Sequence, residues 1–556
     1  MTSQEALLTY FGYDSFRELQ SEIIDSVLDG HDTLALLPTG GGKSLCFQVP
    51  TMVMDGLCLV VTPLIALMKD QVENLKKRGI HAAAIYTGMT YEQQRIALDN
   101  CQFGPYHFLY VSPERLESAD FRKRLIELPI CLVAVDEAHC ISQWGFDFRP
   151  SYRRIAQIRK QLDCPVLALT ASATPEVVED IQQQLAFRNN RVFCKSFARP
   201  NLTYVVRHIE PKSSNDLQDK VDELVHIVTS VPGSSIVYVR NRKRAEELAS
   251  VLHCAYYHAG LSTAERAARQ DAWKNSQTTI VCTNAFGMGV DKPDVRLVVH
   301  FDLPSSLESY YQEAGRAGRD GQKAYCVLLF QPADRTKLKK RVSDHYPPKE
   351  FVERVYHCTC DFLQIGLGSG LDHTFALHLD ELCHVMRLPV LQTYSALQLL
   401  TQAGYIDFQD EQETQTRIQI KVARETLYDF NLSAEQEEVL QLLMRQYSGI
   451  FTDLQYIHHN LPHNTLVSLA QRGIITYIPR IVACALTMTQ ERQADIFIPM
   501  HIYNVQRAQY CNRLRAMIEY AEQKQFCREQ FILSYFGQTD APSCHHCDVC
   551  RSHKTK

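Results

Sequence analysis

Residues 131–152, CLVAVDEAHCISQWGFDFRPSY, form an apolar run that ends on an acidic pair, Asp136 and Glu137, and continues into an aromatic segment. An acidic pair at the end of a buried strand suits a magnesium nucleotide, because Mg²⁺ prefers oxygen ligands. Aromatic rings and arginine suit stacked nucleic-acid bases. The segment supplies four such groups: Trp144, Phe146, Phe148 and Arg149. The sequence therefore predicts a loop in which nucleotide hydrolysis meets a nucleic-acid strand.

Similar short apolar runs recur through residues 1–345 and alternate with helical patterns. This alternation is typical of a parallel sheet that is buried on both faces by its crossover helices. It restarts after a polar segment, PKSSNDLQDK (211–220). The runs are LCLVVTP (57–63), HFLYVSP (107–113), CLVAVDEAH (131–139), VLALTAS (166–172), SSIVYVR (234–240), TTIVCTN (278–284), LVVHFD (297–302) and AYCVLLF (324–330). We predict an α/β fold with two parallel-sheet lobes joined near residues 200–220.

The composition is that of a globular protein with several domains. The chain has 556 residues, of which 45% are hydrophobic and 22% are charged, and its net charge is −5. This length indicates about three to four domains. Because the net charge is negative, nucleic-acid binding would depend on local clusters of Lys and Arg. The sequence shows no long apolar run and no secretory pattern at its start, so we expect a cytoplasmic protein without a membrane partner.

Residues 32–48, DTLALLPTGGGKSLCFQ, predict a phosphate-binding loop between a strand and a helix. The glycines free the backbone to wrap phosphates, Lys43 supplies a positive charge and Ser44 a hydroxyl for magnesium. The general pattern has glycine where this chain has Leu37, and the segment fits the shorter T-G-x-G-K-S form instead. The alternative is a glycine turn followed by an incidental lysine. We expect nucleotide contacts from Thr39, Gly40, Gly41, Gly42, Lys43 and Ser44.

Asp136 and Glu137 predict the second part of this site. Asp136 would hold magnesium together with Ser44, and Glu137 would polarise the attacking water. The alternative is an acidic pair that only caps a strand at the surface.

A third part of the site is predicted in the second lobe by YYQEAGRAGRDG (310–321). Two arginines three residues apart, flanked by glycines, suit the charge that develops on a transferred phosphoryl group. Alone, this segment could be a basic turn. With the other two parts upstream it predicts an arginine finger and a site shared between the lobes, which hydrolysis would open and close. The residues expected to act there are Gln312, Arg316 and Arg319.

The last four of the nineteen cysteines form a pattern, Cys527 followed by SCHHCDVC (543–550). Four thiolates can close a tetrahedral zinc site, and the C-x-x-C-x-x-C cluster lets three ligands converge from one turn. The other fifteen cysteines are expected to be buried hydrophobes in a reducing compartment. An iron–sulfur cluster, free thiols, or a ligand from His545 or His546 are alternatives. We predict a structural zinc ion bound by Cys527, Cys544, Cys547 and Cys550.

Taken in order, the motifs resemble those of RecQ-type DNA helicases of helicase superfamily 2. The resemblance covers residues 1 to about 345 and again the C-terminal region. The motifs are FGYDSFRELQ (11–20), PTGGGKS (38–44), TPLIALMKDQ (62–71), SPERL (112–116), DEAHCISQWGFDFRP (136–150), TASAT (170–174), YHAGL (257–261), AFGMGVDKP (285–293) and QEAGRAGR (312–319). The family implies two RecA-like lobes and ATP-driven 3′ to 5′ translocation on single-stranded DNA with unwinding of duplex. It also implies that Gln20 hydrogen-bonds the adenine of ATP, on which Arg17 and Tyr13 stack.

Carried over residue by residue, the resemblance implies a set of residues that faces the DNA strand: Thr62, Arg115, Trp144, Phe146, Phe148, Arg149 and Thr283. Ser172 and Thr174 would relay the ATP state between the lobes. For Thr62 and Thr283 the alternative is capping of a strand end. The sequence departs from the family at Phe146, where many members have histidine. It also departs at Asn241, where Ser or Thr is usual, which leaves a DNA or nucleotide contact of Arg242 open.

Residues 346–500 contain a faint repeat at an offset of 69 residues: ALQLLTQAGYID (396–407) and TLVSLAQRGIIT (465–476). Each copy predicts a helix that is ended by a glycine and followed by a strand. With a short helix at LDELCHVMRL (379–388), this favours one or two winged-helix units. Whether they contact DNA or protein stays open. Because LPVLQTYSALQLL (388–400) has no Lys or Arg, we do not expect a base-reading helix there. The basic segment TRIQIKVAR (416–424), with Arg417, Lys421 and Arg424, is the better candidate for phosphate contact.

The sequence therefore predicts lobe 1 (1–205), lobe 2 (206–345), a winged-helix-like insert (346–500) and a helical zinc module (501–556), with no HRDC-type domain after it. We expect an ATP-dependent 3′–5′ DNA helicase of repair and recombination. ATP, magnesium and zinc would be its cofactors, and single-stranded, forked or junction DNA its partner. The alternatives are a DNA-stimulated translocase that remodels protein–DNA complexes, an ATPase-dead scaffold and an RNA helicase. The complete set of ATP residues disfavours the scaffold, and the aromatic loop with the cysteines favours DNA.

Overall fold

The computed structural model of the chain describes residues 1–554 with short internal gaps. The residues left out are 39, 87, 143–144, 146–148, 211–215, 277, 288–291, 414–416, 425, 428–429, 431, 448, 453–454, 458–460, 479–481 and 555–556. The chain forms two compact units, one of Met1–Lys339 with Gln509–Lys556 and one of Lys340–Ala508. The C-terminal segment therefore belongs to the same unit as the first 339 residues.

The first lobe of the larger unit is built on one sheet of parallel strands. Its strands are β1 Thr33–Leu36, β2 Leu57–Val61, β3 Ala82–Ile85, β4 Phe108–Val111, β5 Ile130–Val135, β6 Val166–Thr170 and β7 Arg191–Cys194. Their order in the sheet is β3-β4-β2-β5-β6-β1-β7. Strands β1, β2, β4 and β6 are buried along their whole length. Their continuous apolar sequences fit a sheet covered on both faces.

Helices cover this sheet and connect its strands. They are α1 Ser3–Ala6, α2 Gln20–Leu28, α3 Leu45–Val53, α4 Ile65–Lys77, α5 Tyr91–Phe103, α6 Ala119–Ile126, α7 Ile155–Arg159 and α8 Pro175–Gln184. Short 3₁₀ segments lie at Pro113–Glu117, Ala138–Ile141 and Pro150–Arg154, and a π turn at Leu7–Phe11. Buried side chains of α2, α3 and the strands, such as Ile24, Phe47 and Val60, form one core.

The second lobe repeats this plan. Its strands are β8 Leu202–His208, β9 Ser234–Tyr238, β10 Ala255–Tyr257, β11 Thr279–Cys282, β12 Val295–His300 and β13 Ala324–Phe330. They are parallel in the order β10-β11-β9-β12-β13-β8. The helices are α9 Asp216–Ser230, α10 Arg242–Val251, α11 Thr263–Lys274, α12 Leu307–Ala314 and α13 Pro332–His345. The predicted boundary at residue 205 falls inside β8, and all of β8 pairs with β13 of the second sheet.

The smaller unit holds two three-stranded antiparallel sheets, one nested inside the other along the chain. The outer part contains α14 Lys349–Phe362, β14 Thr374–Leu377, α15 Leu379–Val385, α16 Val390–Gln402, β15 Ile406–Glu413 and β19 Val482–Met488. The inner part contains β16 Arg417–Ile420, α17 Ala434–Gln446, β17 Gln455–Tyr456, α18 His463–Gln471 and β18 Ile475–Ile478. Because β15 pairs with β19, with Glu413 opposite Val482, the inner part is inserted into a hairpin of the outer part. Each part has its own buried cluster.

The predicted repeat is confirmed as local structure. Helices α16 and α18 each end just before a glycine with positive φ, Gly404 at +79° and Gly473 at +72°, and β15 and β18 follow. Glycine adopts this conformation without the Cβ penalty of other residues. The two copies are therefore the helix and strand of two winged-helix-like parts.

The C-terminal segment of the larger unit is helical. It contains most of α19 Gln506–Glu522, followed by α20 Arg528–Tyr535 and α21 Asp548–Lys554. Helix α20 begins directly after Cys527, and α21 directly after Cys547. The cysteines of the predicted zinc module are therefore placed by helix starts. Within the described ranges, no helix is both long and apolar enough to cross a membrane.

Candidate nucleotide and nucleic-acid site

The predicted nucleotide residues of the first lobe lie at the carboxyl edge of its sheet. Because all seven strands are parallel, the loops that follow them leave at this edge. Ligand sites of open α/β sheets form there. The loops that follow β1, β2, β4, β5 and β6 carry Gly40, Thr62, Arg115, Asp136 and Ser172. Strand β6 separates β5 from β1, so the acidic pair leaves the sheet two strands from the glycine loop.

The glycine loop turns tightly between β1 and α3. Gly40 and Gly42 have φ of +83° and +78°, and the N–H of Gly41 donates to the carbonyl of Pro38 at 2.9 Å. A Cβ on Gly42 would collide with Nε2 of Gln20. Both the backbone conformation and the close approach therefore require glycine. Thr39 lies outside the described residues.

The predicted adenine motif lines a cavity of about 460 Å³ beside the glycine loop. Gln20 is buried, and its Nε2 donates to the carbonyl of Gly42 at 3.0 Å. Its Oε1 accepts the N–H of Arg17 at 2.8 Å, and Arg17 Nη1 donates to the carbonyl of Gly40 at 2.8 Å. Tyr13 is exposed at the cavity wall. The three predicted residues therefore lie together and are hydrogen-bonded to the phosphate loop.

Asp136 and Glu137 follow β5 in different environments. Desolvation, and secondly the charge of Glu137, raise the pKa of Asp136 to about 6, while Lys43 acts in the opposite direction. Asp136 Oδ1 accepts the N–H of Glu137 at 2.9 Å. Glu137 has φ of +47°, a strained conformation for a residue with a side chain. The hydroxyl of Tyr152, which the sequence analysis missed, donates to the carbonyl of Asp136 at 3.0 Å. Tyr152, which follows the aromatic loop, therefore holds the backbone of the acidic pair.

A row of hydrogen-bonded polar groups leads from His139, which lies beside Glu137, to the second lobe. Nδ1 of His139 shares a 3.0 Å hydrogen bond with Oγ1 of Thr170. Thr170 Oγ1 donates to the carbonyl of Ser172 at 3.3 Å. Gln312 of the second lobe donates from Nε2 to Oγ of Ser172 at 3.2 Å. Glu137 Oε2 lies 3.4 Å from Nδ1 of His139 and has no hydrogen-bond partner among the described residues, so the hydrogen-bonded row begins at His139.

His139 and Thr170 were quoted in the sequence motifs without a role. Their contact depends on β5 and β6 being neighbours in the sheet, which neither motif shows by itself. Thr174, predicted to act with Ser172, is the half-buried residue before α8 and makes no side-chain cap there.

The two predicted arginines occupy different places. Arg319 crosses to the first lobe, where its Cγ lies 3.8 Å from the position of a Cβ on Gly40. Arg316 stays within the second lobe and is only 7% exposed. Its Nη2 lies 3.4 Å from the Cβ position of Gly287. Arg319, rather than Arg316, therefore lies against the glycine loop.

Four of the residues predicted to face a DNA strand are described by the structure, and two of these four are buried. Thr62 and Thr283 are buried, and Oγ1 of Thr62 has no hydrogen-bond partner. Arg115 donates from Nη2 to Gln94 and lies 5.6 Å from the ring centre of Phe121. Desolvation lowers the pKa of Arg115. A hydrogen bond to a DNA strand would satisfy the unpaired hydroxyl of Thr62.

Three residues of the predicted aromatic loop lie outside the described residues: Trp144, Phe146 and Phe148. The described residues beside them are tied to the larger unit. The N–H of Gly145 donates to the carbonyl of Ser142 at 3.1 Å, and its carbonyl accepts from Arg513 of α19 at 3.5 Å. The N–H of Arg149 donates to the carbonyl of Cys140 at 2.8 Å. The loop is therefore anchored at both ends and touches the C-terminal segment.

Asn241, where the family pattern has Ser or Thr, caps helix α10. Its side-chain oxygen accepts the N–H of Arg244 at 2.7 Å. Asparagine serves as well as serine at a helix start, so the departure keeps the local structure. Arg242 is exposed, with Nη1 3.1 Å from the Cβ position of Gly260. Its DNA or nucleotide contact stays a prediction.

The four patterned cysteines come together. The sulfur atoms of Cys527, Cys544, Cys547 and Cys550 all lie within 4.8 Å of one another. Backbone N–H groups donate to these sulfurs at 3.3 to 3.5 Å, as they do to thiolates. Hydrogen bonds from Cys544 and Cys547 lower the pKa of the Cys527 thiol. This donor set fits a zinc ion in tetrahedral coordination.

The neighbouring histidines are placed elsewhere. His546 bonds through Nε2 to the carbonyl of Leu202 at 2.9 Å, and through Nδ1 to the carbonyl of Cys544. His545 is exposed and has φ of +61°. The metal-binding group found among the described residues contains the four cysteines and neither histidine.

Four family models match the chain. They are DEAD/DEAH box helicase at residues 17–181, helicase conserved C-terminal domain at 219–321, RecQ helicase winged-helix domain, Bacteroidota, at 418–461, and RecQ zinc-binding at 490–551. The first two coincide with the lobes, and the third falls within the inner part of the smaller unit.

The chain is 44% identical over 340 residues to the probable ATP-dependent DNA helicase RecS of Bacillus subtilis, a match that covers 60% of this chain and 67% of that protein. The chain belongs to the RecQ family of superfamily 2 helicases. It is also 42% identical over 347 residues to the ATP-dependent DNA helicase RecQ of Haemophilus influenzae. That match covers 61% of this chain and 55% of the RecQ relative, so the chain spans about half to two thirds of these curated relatives.

Among solved structures, the RecQ-family chain is similar to the DUF1998 helicase MrfA bound to DNA. The TM-score is 0.51 at 19% identity, and the likeness covers 61% of this chain and 50% of MrfA. At this identity the likeness concerns the fold alone.

Proposed function

We propose that this RecQ-family protein is an ATP-dependent DNA helicase that moves 3′ to 5′ on single-stranded DNA and unwinds duplex ahead of it. The observation that carries the proposal is that Arg319 of the second lobe lies against Gly40 of the phosphate loop. A nucleotide site assembled from two lobes lets the state of the nucleotide set their distance. The family relatives, named ATP-dependent DNA helicases, support DNA as the substrate.

In this proposal the nucleotide is held at both ends by the first lobe. Gln20, with Tyr13 and Arg17, takes the adenine, and the glycine loop with Lys43 takes the phosphates. Magnesium would be held by Ser44 and Asp136 and would compensate the phosphate charge. The hydrogen bonds of Gln20 and Arg17 to the loop carbonyls support this, because they join the two ends of the site.

Glu137 takes a proton from the attacking water. The oxygen of this water bonds to the γ-phosphorus of ATP while the bond between the γ-phosphorus and the leaving nucleoside diphosphate breaks. Arg319 stabilises the charge that develops on the transferred group, and Arg316 supports it from within the second lobe. The row from His139 through Thr170 and Ser172 to Gln312 supports a relay of this event between lobes.

The strand would pass over the carboxyl edge of the lobes, where Thr62 and Thr283 follow their strands. The orphan hydroxyl of Thr62 supports this placement. The aromatic loop would stack on bases and report the strand to the adjoining Asp136 and Glu137. Zinc bound by the four cysteines would have a structural role. With DNA as its substrate, the protein would act in DNA repair and recombination at the bacterial nucleoid.

A second candidate is a DNA-stimulated translocase that remodels protein–DNA complexes with little unwinding. Strand β15 of the smaller unit, IDFQDEQE, carries four acidic residues, and helix α16 carries no Lys or Arg. A sequence rich in acidic residues and without basic ones opposes binding to the phosphate backbone of DNA. This observation disfavours duplex contact by the outer winged-helix part.

Strand displacement decides between the two candidates. The helicase should release the strand of a duplex with a 3′ single-stranded tail and leave a 5′-tailed duplex intact. DNA-stimulated ATP hydrolysis without displacement would favour the translocase. Greater stimulation by RNA than by DNA would contradict a DNA substrate.

Glu137→Gln tests the site itself. We expect a fall in DNA-stimulated turnover of about 10²-fold or more with unchanged DNA affinity, because the general base is lost. Lys43→Ala should also abolish turnover. Glu127→Gln, an exposed residue after α6, is the matched control and should hydrolyse ATP normally. Retained turnover in Glu137→Gln would overturn its assignment.

A further inference from the structure

The backbone of the loop that carries Arg316 and Arg319 is held by one guanidinium. Arg199 donates from Nη1 to the carbonyl of Gly315 at 3.3 Å, and from Nη2 to the carbonyls of Ala317 at 3.0 Å and Gly318 at 3.2 Å. All three acceptors are main-chain oxygens. The contact therefore sets the path of the loop and leaves its arginine side chains available to other groups.

A second side chain supports the same turn. Asn201 donates from Nδ2 to the carbonyl of Gly318 at 2.7 Å and to that of Gln322 at 2.9 Å. Gly318 has φ of +57°, and a Cβ there would collide with Asn201 Nδ2. The turn between α12 and β13 is thus shaped by the segment that precedes β8.

That segment is itself held by the four-cysteine module. The N–H of Arg199 donates to Oε1 of Glu529 at 2.8 Å, and Glu529 lies two residues after the cysteine Cys527. The N–H of Phe197 donates to Gln538 at 3.2 Å, and its ring lies 5.0 Å from that of Phe536. Glu529 is 7% exposed, so this hydrogen bond is screened little by water.

Helix α12 is attached to the module on a further side. Tyr535 of α20 donates to Oε1 of Glu308 at 2.8 Å. The rings of Tyr310 and Tyr520 lie 5.1 Å apart, and those of Tyr311 and Phe536 5.3 Å apart. Helix α12, which precedes the arginine loop, and the segment before β8, which holds that loop, therefore both contact the cysteine module.

We propose that Arg199 is a positioning residue for ATP hydrolysis, which holds the arginine loop so that Arg319 reaches the phosphate loop, and that Glu529 of the cysteine module holds Arg199. The inference rests on the proposed function, because it needs Arg319 to act on the nucleotide. The planar fork of arginine reaches the three carbonyls from two nitrogen atoms held in a fixed geometry, which the single nitrogen of a lysine ammonium does not reproduce. Displacement of a catalytic group by about 1 Å can cost on the order of 10²-fold in rate.

Arg199→Lys and Arg199→Ala test the proposal in the full-length protein. We expect the DNA-stimulated kcat to fall roughly tenfold or more in both. The KM for ATP, the affinity for single-stranded DNA, the zinc content and the melting temperature should stay near those of the parent protein. Arg207→Ala, at an exposed site on β8 beside Glu223, is the matched control. An unchanged kcat, or a loss of kcat that only accompanies a lower melting temperature in both variants, would overturn the proposal.

A double-mutant cycle with Arg319→Ala separates the inference from the function on which it rests. If Arg199 acts through Arg319, the double variant should turn over no more slowly than Arg319→Ala alone. Multiplied losses would show that Arg199 acts independently and would contradict the proposal. If Arg319→Ala keeps normal turnover, the proposed role of Arg319 in ATP hydrolysis is wrong, and the inference about Arg199 is then wrong as well. If Arg319→Ala is inactive while Arg199→Ala is normal, the inference alone fails.

Discussion

At Gly42 the effect of a positive φ can be separated from the effect of a close neighbour. Gly42→Ala should lose ATP affinity, because its Cβ would push the Gln20 amide away from the loop carbonyl. Gly79 has nearly the same φ, +77° against +78°, and nothing within 4 Å of its Cβ position. Gly79→Ala should therefore lose about 1 kcal/mol of stability and keep normal ATP affinity.

Equilibrium titration with a fluorescent ATP analogue and thermal melting give the two readouts. If Gly79→Ala weakens ATP binding as much as Gly42→Ala does, backbone strain explains the loss and the contact with Gln20 does not.

Single residues also show what the sequence could predict. The motifs predicted the arginines from type and spacing, but spacing alone treats Arg316 and Arg319 alike. The turn after α12, with Gly318 at φ +57°, directs one into the second lobe and the other to Gly40. Tyr152 and Arg199 were missed because their hydrogen bonds go to main-chain atoms, which leave no residue pattern.

Among elements, the cysteine module offers a test of its structural role. Cys547→Ser should lose zinc and lower the melting temperature by about 5–10 °C, because one of four ligands is removed. Cys511→Ser in α19 is the matched control, since Cys511 stands apart from the cluster. Metal analysis should find one zinc per chain in the control. Absence of zinc from the parent protein would contradict the assignment.

The nested hairpin of the smaller unit predicts a separable element. Among the described residues, the buried cluster of the inner part lies within residues 418–475, and that of the outer part has no member between residues 409 and 483. Replacing residues 414–481 with Asn-Gly should close β15 and β19 into a two-residue hairpin. We expect a folded protein with normal DNA-stimulated ATP hydrolysis, and circular dichroism with melting would show whether the outer part survives.

Loss of the outer fold in that deletion would mean that the two clusters depend on each other. Strand displacement by the same variant reports whether the inner part, with Lys421 and Arg424, contributes to unwinding. The repeat could be predicted from the sequence, because each copy has a helix pattern, a glycine and a strand pattern in the same order. It could not show the nesting, because β15 and β19 pair across an interval of 68 residues that has no local signal.

In the larger unit, three stretches of sequence pack together: the two lobes and the C-terminal segment. That the strands of each lobe form a parallel sheet follows from the apolar runs and was predicted from them. The return of the C-terminal segment depends on single contacts that composition does not reveal. Asp548 accepts the N–H of Val206 on the edge strand β8, and Gly537 packs against Pro175 of the first lobe. The segment thus contacts both lobes and covers an edge that would otherwise be open.

Gln312 tests whether communication between the lobes depends on the cross-lobe hydrogen bond to Ser172. Gln312→Ala removes the donor of this bond and interrupts the row of hydrogen bonds that begins at His139. We expect the KM for ATP to stay constant, because the residues proposed to bind adenine and phosphates belong to the first lobe. The DNA-stimulated kcat should fall roughly tenfold, toward the rate without DNA, because an orienting contact is lost.

The measurement is phosphate release with and without single-stranded DNA, with Gln161→Ala at an exposed site as the matched control. Ser172→Ala removes the acceptor of the same bond, so the two changes should not add. Equal losses with and without DNA would place Gln312 in hydrolysis alone. Full stimulation in Gln312→Ala would mean that the lobes communicate by another route, and the arginine loop held by Arg199 would then be the remaining connection to test.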